Sequence, residues 1–425
     1  MRSHLSFLVL ATLTPGGLFA FGCGGSSASG GTQPEDAGRD AVIIHFSAGS
    51  GSGTGATSTT SGAHTGTTGA TTTSGTVTST STGATGSTGN TSSSGATSTS
   101  SASSTGGTLF AAGTLCNKTG SAMTPPATLK HVIIIMEENE NFGNVNGNAK
   151  APYISSLATE CGYASNYLDN CFTDNLESLP HYLALTSGSN CNTGLDTTGT
   201  GCISVDQDAT VAKLSTQSIF QQVSSWKAYE EDMPSACDLS TSGNYAPKHN
   251  PPAYYSALTS CSANDVSIAG VTCSPSSTMT ACGTPDNAFT TDLAGGTLPA
   301  LSFVTPNLNN DMHNGTVTQG DNWLYTYLPL VLQSTSYLNG EIAIFILWDE
   351  QSTTTSGGPT PNVFVSPYIK AGTVASTTLN QFSALRAVEN ALGITTYLGC
   401  ASGTQPGGGS CPTGSTADLR AALNL

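Results

Sequence analysis

Charged residues are scarce in this chain of 425 residues, and positive charge is the scarcest. Lys and Arg together number 11 against 27 Asp and Glu, so the formal net charge is −16. Nucleic acids and anionic membrane surfaces bind basic patches, so this balance argues against both as partners. The sequence also lacks a C-x-x-C pair, which argues against a structural zinc site. No pattern in it predicts a protein partner.

A long apolar run that could span a membrane is missing as well. The chain opens with Met1-Arg2-Ser3-His4 and continues with a short apolar stretch. A spanning helix needs about 20 apolar residues, so residues 1–22 are predicted to be a signal peptide. Cys23, with a small residue before it, resembles a bacterial lipoprotein processing site. The exported protein is then either a lipoprotein of the outer membrane or cell surface, anchored at Cys23, or a secreted protein.

A second absence divides the chain. Between Asp40 and Lys118 there is no charged residue, and nearly every residue is Ser, Thr, Gly or Ala. Such a stretch has too few apolar side chains to offset its ordering entropy. Residues 23–114 are therefore predicted to be a disordered tether. Residues 115–425 have the length and composition of one large domain.

The 12 cysteines fit an oxidising compartment. With Cys23 set aside an odd number remains, so at least one cysteine has no partner within the chain. The pairing cannot be deduced from the sequence. The close pairs Cys191/Cys202 and Cys400/Cys411 are the simplest candidates, each closing a short loop worth about 3 kcal/mol.

Apolar runs and helical spacing alternate through residues 115–425. The continuous apolar runs predict four buried strands, at 131–136, 301–304, 342–348 and 363–365. Helical spacing predicts helices at 152–158, 179–185, 218–226, 323–332 and 382–392. This alternation predicts an α/β fold with a mostly parallel sheet flanked by helices on both faces. Such sheets bind ligands beyond the carboxyl ends of their strands.

Acidic residues follow two of these strands. Glu137-Glu138-Asn139 ends the first strand, Asp349-Glu350 ends the strand at 342–348, and the strand at 301–304 runs into the loop 307–313. Carboxylates that converge at one edge repel one another, and a divalent cation relieves this repulsion. Oxygen ligands suit Ca²⁺, Mg²⁺ or Mn²⁺, with Zn²⁺ also compatible. The alternative is that these are ordinary polar strand ends that face water.

Five segments resemble, in order, motifs of the bacterial phosphoesterase family. They are residues 131–139, 178–188, 248–251, 307–313 and 348–350, and residues 365–370 resemble a further family segment. The family includes nonspecific phospholipases C and secreted acid phosphatases, and it shares an alkaline phosphatase-like core. The resemblance covers about residues 129–393. It implies that residues 115–425 are an exported metal-dependent phosphoesterase that hydrolyses phosphomonoesters.

The resemblance also implies which residues hold the metal ion and which one attacks the substrate. The implied metal ligands are Glu138, Asn139, Ser178, Asp349 and Glu350. Ser178 would also be the nucleophile, because the start of a helix favours a phosphate oxyanion and a metal ion lowers the pKa of a hydroxyl. Taken alone, a Ser before Leu-Pro is more often a helix N-cap.

Two histidines match the family residues that contact the phosphoryl group or protonate the leaving oxygen. His249 and His313 would carry these roles, since a histidine with a near-neutral pKa suits general acid catalysis. Either one alone would be read as an ordinary loop histidine. Five further residues would surround these groups or contact the substrate, namely His181, Lys248, Asn307, Asn310 and Asp311.

Three departures from the family pattern leave the substrate open. Glu140-Asn141 follows Asn139 where the family usually carries Arg-Ser, the loop 351–358 has no histidine, and Gln381 stands where the family often has His. A small phosphomonoester is the first expectation. The alternatives are phospholipase C-type cleavage of a phospholipid, and a catalytically silent surface protein that binds or adheres.

Overall fold

The computed structural model describes residues 116, 123–172, 177–190, 203–207, 213–352, 357–405 and 410–425. The predicted signal peptide, Cys23 and the tether lie outside these residues, and so does the candidate pair Cys191/Cys202. Within the described ranges, no helix is both long enough and apolar enough to cross a membrane.

The described residues form one sheet of eight strands. The strands are β1 (His131–Glu137), β2 (Gly162–Ala164), β3 (Trp226–Glu231), β4 (Asp265–Ile268), β5 (Leu301–Thr305), β6 (Ile342–Trp348), β7 (Asn362–Val365) and β8 (Thr373–Ala375). Their order is β4-β3-β5-β1-β6-β7-β2-β8. Neighbouring strands are parallel except where β7 pairs with β6 and with β2. The predicted mostly parallel sheet is therefore confirmed.

Helices lie between most of the strands. They are α1 (Phe142–Val145), α2 (Pro152–Glu160), α3 (Ser178–Ser187), α4 (Ile219–Gln222), α5 (Cys261–Asn264), α6 (Ala288–Gly295), α7 (Val317–Leu332), α8 (Thr335–Leu338), α9 (Gln381–Ala391) and α10 (Leu419–Leu423). One group packs α2 against α7 and β7, and another packs α3 against α9 and α9 against α10. Every side chain of β6 and β7 is buried, so both faces of the sheet are covered, as predicted.

The centre of the sheet brings three strand ends together. β1 pairs with β6 from His131↔Ile342 to Glu137↔Trp348, and with β5 from Val132↔Leu301 to Ile135↔Val304. All three strands are parallel, so the residues that follow them emerge at one edge. This places the end of β1 between the loop after β5 and the turn after β6.

The predicted helix 218–226 is wrong over its second half. α4 ends at Gln222, and Trp226 begins β3. The sequence of β3, Trp-Lys-Ala-Tyr-Glu-Glu, has no apolar run or clean alternation, because its last two residues are buried carboxylates. Glu231 is tolerated there because it accepts hydrogen bonds from neighbouring loops, including one from Asn307 N at 2.8 Å.

Four disulfides join described cysteines. They are Cys116–Cys161, Cys237–Cys261, Cys273–Cys282 and Cys400–Cys411. The predicted pair Cys400/Cys411 is confirmed. Among the described cysteines, Cys171 keeps a free and buried thiol, in agreement with the odd number that the sequence leaves.

A buried acid in α9 makes stability depend on pH. Glu389 is fully buried, and burial raises its pKa from 4.5 to about 8. Between these values the folded chain binds more protons than the unfolded chain, so its stability is highest at acidic pH and falls as pH rises. We expect Glu389→Gln to flatten this fall between pH 6 and 8 by up to about 1.4 kcal/mol per pH unit, measured by urea unfolding.

The matched control is Glu341→Gln. Glu341 lies at the surface and pairs with Lys130, which lowers its pKa. It titrates below this range, so the control should keep the wild-type slope between pH 6 and 8. Equal slopes in the Glu389→Gln variant and the wild type would contradict the prediction.

Candidate active site

Glu138 follows β1 directly, and its carboxylate is fully buried. Oε2 accepts a hydrogen bond from Ser178 Oγ at 3.1 Å, and Oε1 accepts one from Tyr182 OH at 2.6 Å. The backbone N–H of Glu138 donates to the carbonyl oxygen of Asp311 at 2.8 Å. Glu138 thus ties the end of β1 to α3 and to the loop after β5.

Asn139 turns the chain sharply after Glu138. Its φ is 51°, a left-handed conformation that Asn tolerates better than most residues. In this conformation its backbone N–H donates to Asp349 Oδ1 at 3.1 Å, and its side-chain amide donates to Glu138 Oε2 at 3.4 Å. The turn therefore couples the end of β1 to the end of β6.

Ser178 is the first residue of α3 and is 1% exposed. The N-cap position belongs to Glu177, whose side chain makes no capping hydrogen bond. The hydroxyl of Ser178 donates to Glu138 rather than to its own helix. Ser178 is therefore directed at the end of β1, which is not what a simple helix cap would do.

His249 lies between two carboxylates. Its Nε2 is 3.2 Å from Glu138 Oε1 and its Nδ1 is 3.2 Å from Asp311 Oδ2. Burial lowers its pKa, and nearby Lys248 and His313 lower it further. A neutral imidazole has only one N–H, so it cannot donate to both carboxylates at once. At most one of the two carboxylates therefore accepts a hydrogen bond from His249.

His313 approaches the same carboxylate. Its ring centroid is 5.4 Å from that of His249, and its backbone N–H donates to Asp311 Oδ1 at 2.8 Å. Glu138, His249 and His313 offer ligand atoms that all lie within 4.8 Å of one another. Of these three residues, Glu138 is also one of the predicted oxygen ligands of the metal ion. His249 and His313 are the two histidines that were predicted to contact the phosphoryl group.

Asp349 and Glu350 follow β6 and are buried. Asp349 Oδ2 and Glu350 Oε2 accept no hydrogen bond from any described residue. Burial raises the pKa of both acids, and their mutual repulsion raises that of Glu350 further. Buried oxygens without partners are costly, so these two are the kind of atom that a bound cation would satisfy.

His181 supplies one buried positive charge near this pair. Its Nδ1 is 2.9 Å from the carbonyl oxygen of Glu177, and its Nε2 is 2.8 Å from Asp169 Oδ1. Both neighbours are acceptors, so both nitrogens carry protons. Burial opposes this charge, but Asp169 outweighs it and the pKa of His181 is raised. Nδ1 also lies 3.7 Å from Glu350 Oε2.

The other predicted residues hold the surroundings of the site. Asn307 N and Asn310 Nδ2 both donate to Glu231 Oε2 at 2.8 Å, which fixes the loop that carries Asp311. Lys248 Nζ donates to Asp206 Oδ2 at 2.8 Å. The structure therefore gathers the predicted residues at one edge, with the two asparagines bonded to β3.

Three contributors were missed in the sequence. Tyr182 lies one helical turn after Ser178, a spacing that places both on one face of α3 and could have revealed it. Asp169 and Asp206 lie in segments without a recognisable pattern, so the sequence did not predict a role for them in the site.

The donors present fit a hard divalent cation. Carboxylates from three chain segments converge, and burial raises the pKa of Glu138, Asp311, Asp349 and Glu350. A cation would favour the ionised form of each and would use the partnerless oxygens. Glu138, Asn139, Ser178, Asp349 and Glu350 could supply oxygen ligands, with His249 and His313 as nearby nitrogen donors.

The Phosphoesterase family model matches residues 150–395, which is more than half of the chain. The chain therefore belongs to the Phosphoesterase family, as the resemblance of its motifs implied. The prediction that it is a phosphoric ester hydrolase is confirmed at this level. Ser178, His249, His313 and Asp349 lie inside the matched range, and Glu138 precedes it.

Three relatives carry phosphatase names. A phosphatidylinositol-3-phosphatase of Mycobacterium tuberculosis is 26% identical over 278 residues, covering 65% of this chain and 81% of the relative. A phosphate-repressible acid phosphatase of Penicillium chrysogenum is 29% identical over 135 residues, covering 30% of this chain and 29% of the relative. An acid phosphatase of Aspergillus fumigatus is 26% identical over 194 residues, covering 44% and 38%. The chain thus spans less than two-fifths of either fungal relative.

Solved structures are similar only at a distance. A protein of the alkaline phosphatase superfamily from Vibrio parahaemolyticus aligns with a TM-score of 0.39 and 12% identity, over 64% of this chain and 68% of that one. The PsFucS1 sulfatase from Pseudoalteromonas sp. aligns with a TM-score of 0.38 and 10% identity, over 63% and 68%.

The hydroxyl of Tyr182 should affect cation binding because it holds Glu138 in place. We expect Tyr182→Phe to weaken the binding of Mg²⁺, Ca²⁺ or Mn²⁺ about 10-fold to 100-fold, the usual effect of losing a hydrogen bond to a ligand. Isothermal titration calorimetry on the metal-free chain measures this. The matched control is Tyr255→Phe. The hydroxyl of Tyr255 lies 2.6 Å from Oγ1 of Thr186, which is in α3 like Tyr182. Equal affinities in the two variants would contradict the prediction.

Proposed function

We propose that the chain is an exported metal-dependent phosphatase that hydrolyses phosphomonoesters with Ser178 as its nucleophile. The observation that carries the proposal is the hydrogen bond from Ser178 Oγ to Glu138 Oε2, close to Asp349 Oδ2 and Glu350 Oε2, which accept no hydrogen bond from a described residue. Membership of the Phosphoesterase family supports the reaction class. The phosphatase names of the relatives support an activity of the acid phosphatase type.

In this proposal Ser178 attacks the phosphorus of the substrate. A bound divalent cation would lower the pKa of a serine hydroxyl and offset the charge of the phosphate. The hydroxyl proton of Ser178 is directed at Glu138, which can receive it. Attack by Oγ forms the phosphorus–oxygen bond of a phosphoserine as the bond to the leaving alcohol breaks. Water then releases phosphate and restores the serine.

The two histidines divide the remaining work according to their burial. His249 is buried with a lowered pKa, so it suits a neutral role. Its nitrogens face Glu138 and Asp311, and in this proposal a phosphoryl oxygen takes the place of one of these carboxylates as the acceptor of its N–H. His313 is only partly buried, so its ring is open to solvent. It is the better placed of the two to protonate the leaving oxygen.

The relatives favour a phosphomonoester over a diester. Both kinds of name, the phosphatidylinositol-3-phosphatase and the acid phosphatases, denote removal of a phosphate from a monoester. A small phosphorylated molecule suits the net charge of −16, which disfavours a strongly anionic membrane surface. A phosphorylated lipid headgroup is the second candidate, because one relative is named for that substrate.

The localisation belongs to the same proposal. Residues 1–22 direct export, Cys23 carries the lipid, and residues 23–114 tether the catalytic domain at 115–425. The four disulfides of the described residues support it, because such bonds form and persist in oxidising compartments.

Lipid attachment at Cys23 can be tested by fractionation of a bacterial host. We expect the wild-type chain in the membrane fraction and Cys23→Ala in the soluble fraction, since the variant loses the anchor. Cys171→Ala is the control, because it removes a free thiol that is buried in the domain. Equal partition of wild type and Cys23→Ala would reject the anchor.

Activity and nucleophile are tested together with the mature chain. We expect p-nitrophenyl phosphate to be hydrolysed, EDTA to abolish turnover, and Ser178→Ala to lower kcat by about 10³-fold or more. Phosphatidylinositol 3-phosphate and phosphatidylcholine, assayed beside it across pH 4–9, separate a monoesterase from a phospholipase C. Elemental analysis of the active chain identifies the metal.

The matched control for Ser178→Ala is Ser187→Ala. Ser187 is the last residue of α3, and its hydroxyl donates to the carbonyl oxygen of Leu183 at 2.7 Å. Full activity in Ser178→Ala would reject the nucleophile. A metal-loaded chain that hydrolyses none of the three substrates would reject the proposed function.

A further inference from the structure

Asp206 occupies the amino end of the helix that carries Ser178. Its Oδ1 accepts a hydrogen bond from Leu179 N at 2.9 Å, and its Oδ2 accepts one from Lys248 Nζ at 2.8 Å. Its own backbone N–H donates to Glu177 Oε2 at 2.8 Å. The carboxylate of a different chain segment is therefore held against the first turn of α3.

The two donors that Asp206 engages are those that an anion would use. Leu179 follows Ser178 directly, so its N–H belongs to the first turn of the helix that carries the serine. A first-turn amide and an ammonium group together favour phosphate oxygens. Asp206 thus occupies two donors that suit a phosphate at the amino end of this helix.

A second acid, Glu350, interacts with the same pair of side chains. Glu350 Oε2 is buried and accepts no hydrogen bond from a described residue. Asp206 raises the pKa of Glu350 and Lys248 lowers it, so all three side chains interact electrostatically. Asp206 therefore adds a negative charge to a region rich in acids, while it holds the ammonium group of Lys248 and the amide of Leu179.

We propose that Asp206 is a specificity-determining residue that competes with the phosphate of the substrate for Leu179 N–H and Lys248 Nζ. This inference rests on the proposed function, because it takes Ser178 as the point of attack. A phosphomonoester dianion carries more charge than a carboxylate and displaces it. A phosphodiester carries a single negative charge, like Asp206 itself, and gains little by the exchange. Asp206 thereby favours monoesters over diesters.

A purely structural role for Asp206 predicts the opposite change in phosphate affinity. If Asp206 only braces Lys248 and the end of α3, then removing its charge loosens the donors and weakens phosphate binding. If Asp206 competes, the same change frees the donors and strengthens phosphate binding. The affinity for inorganic phosphate therefore separates the two roles without any need for turnover.

The test uses the metal-loaded mature chain and its Asp206→Asn variant. We expect the Kd of inorganic phosphate, measured by isothermal titration calorimetry, to fall about fivefold to tenfold, the size of one charge-assisted hydrogen bond. The ratio of kcat/KM for p-nitrophenyl phosphate to that for bis(p-nitrophenyl) phosphate should fall by a similar factor. When Lys248 is first replaced by Met, Asp206→Asn should increase the affinity for phosphate by less than about twofold. The reason is that Lys248→Met has already removed the ammonium group that Asp206→Asn would release.

The matched control is Asp286→Asn, which makes the same change of charge at an exposed residue. Asp206→Ser keeps a small acceptor for Leu179 N–H and serves if the Asn variant does not fold. A Kd for phosphate that rises, or that stays within twofold of the control, overturns the inference. Tighter phosphate binding in a chain that hydrolyses no ester would sustain the inference about binding while rejecting the proposed function.

Discussion

Burial of negative charge at the end of β1 is the constraint on which the rest of the site depends. Glu138 is fully buried and has Asp311 and Asp349 close enough to raise its pKa. Removing such charges from water costs several kcal/mol each unless partners replace the solvent. Tyr182, Ser178 and the imidazolium of His181 replace part of it, and the partnerless oxygens of the described acids mark the part that protein groups leave unmet. That remainder is the part that the proposed cation would supply, and the raised pKa values of the acids record its cost in the protein alone.

The topology of the sheet is what makes this concentration of charge unavoidable. β1 has parallel neighbours on both sides, so its end, the loop after β5 and the turn after β6 open onto one edge. The backbone N–H of Glu138 bonds to Asp311 O, and that of Asp349 bonds to Glu137 O at 3.2 Å, so the three segments stay in register beyond the strands. β7, which is antiparallel to both of its neighbours, is buried throughout and serves the packing of the sheet.

The sequence could predict the strands that are continuous apolar runs and the polar residues that follow those strands directly. Buried strands 131–136 and 342–348 are continuous and apolar, so their ends and the acids that follow were found correctly. β3 was missed because Glu230 and Glu231 are buried with hydrogen bonds from residues distant in sequence, Thr305 of β5 and Asn310 of the loop after it, which no local pattern records. Asp169 was missed for the same reason, since its partner His181 is 12 residues away and on another element.

The departures from the family pattern form connected contacts around the end of β6. Gln351 donates its backbone N–H to Asp169 Oδ2 at 3.3 Å and its side-chain amide to Asn141 Oδ1 at 3.2 Å. Gln381, which stands where the family often has a histidine, donates to the carbonyl oxygens of Trp348 at 2.9 Å and Asp349 at 3.3 Å. These side chains therefore brace the backbone that carries Asp349 and Glu350. Asp169 also accepts a hydrogen bond from His181, so the backbone of Gln351 and the ring of His181 share one carboxylate. The neutral side chains at these positions therefore act on the acids of the β6 end through the backbone that carries them, and they add no charge to the edge.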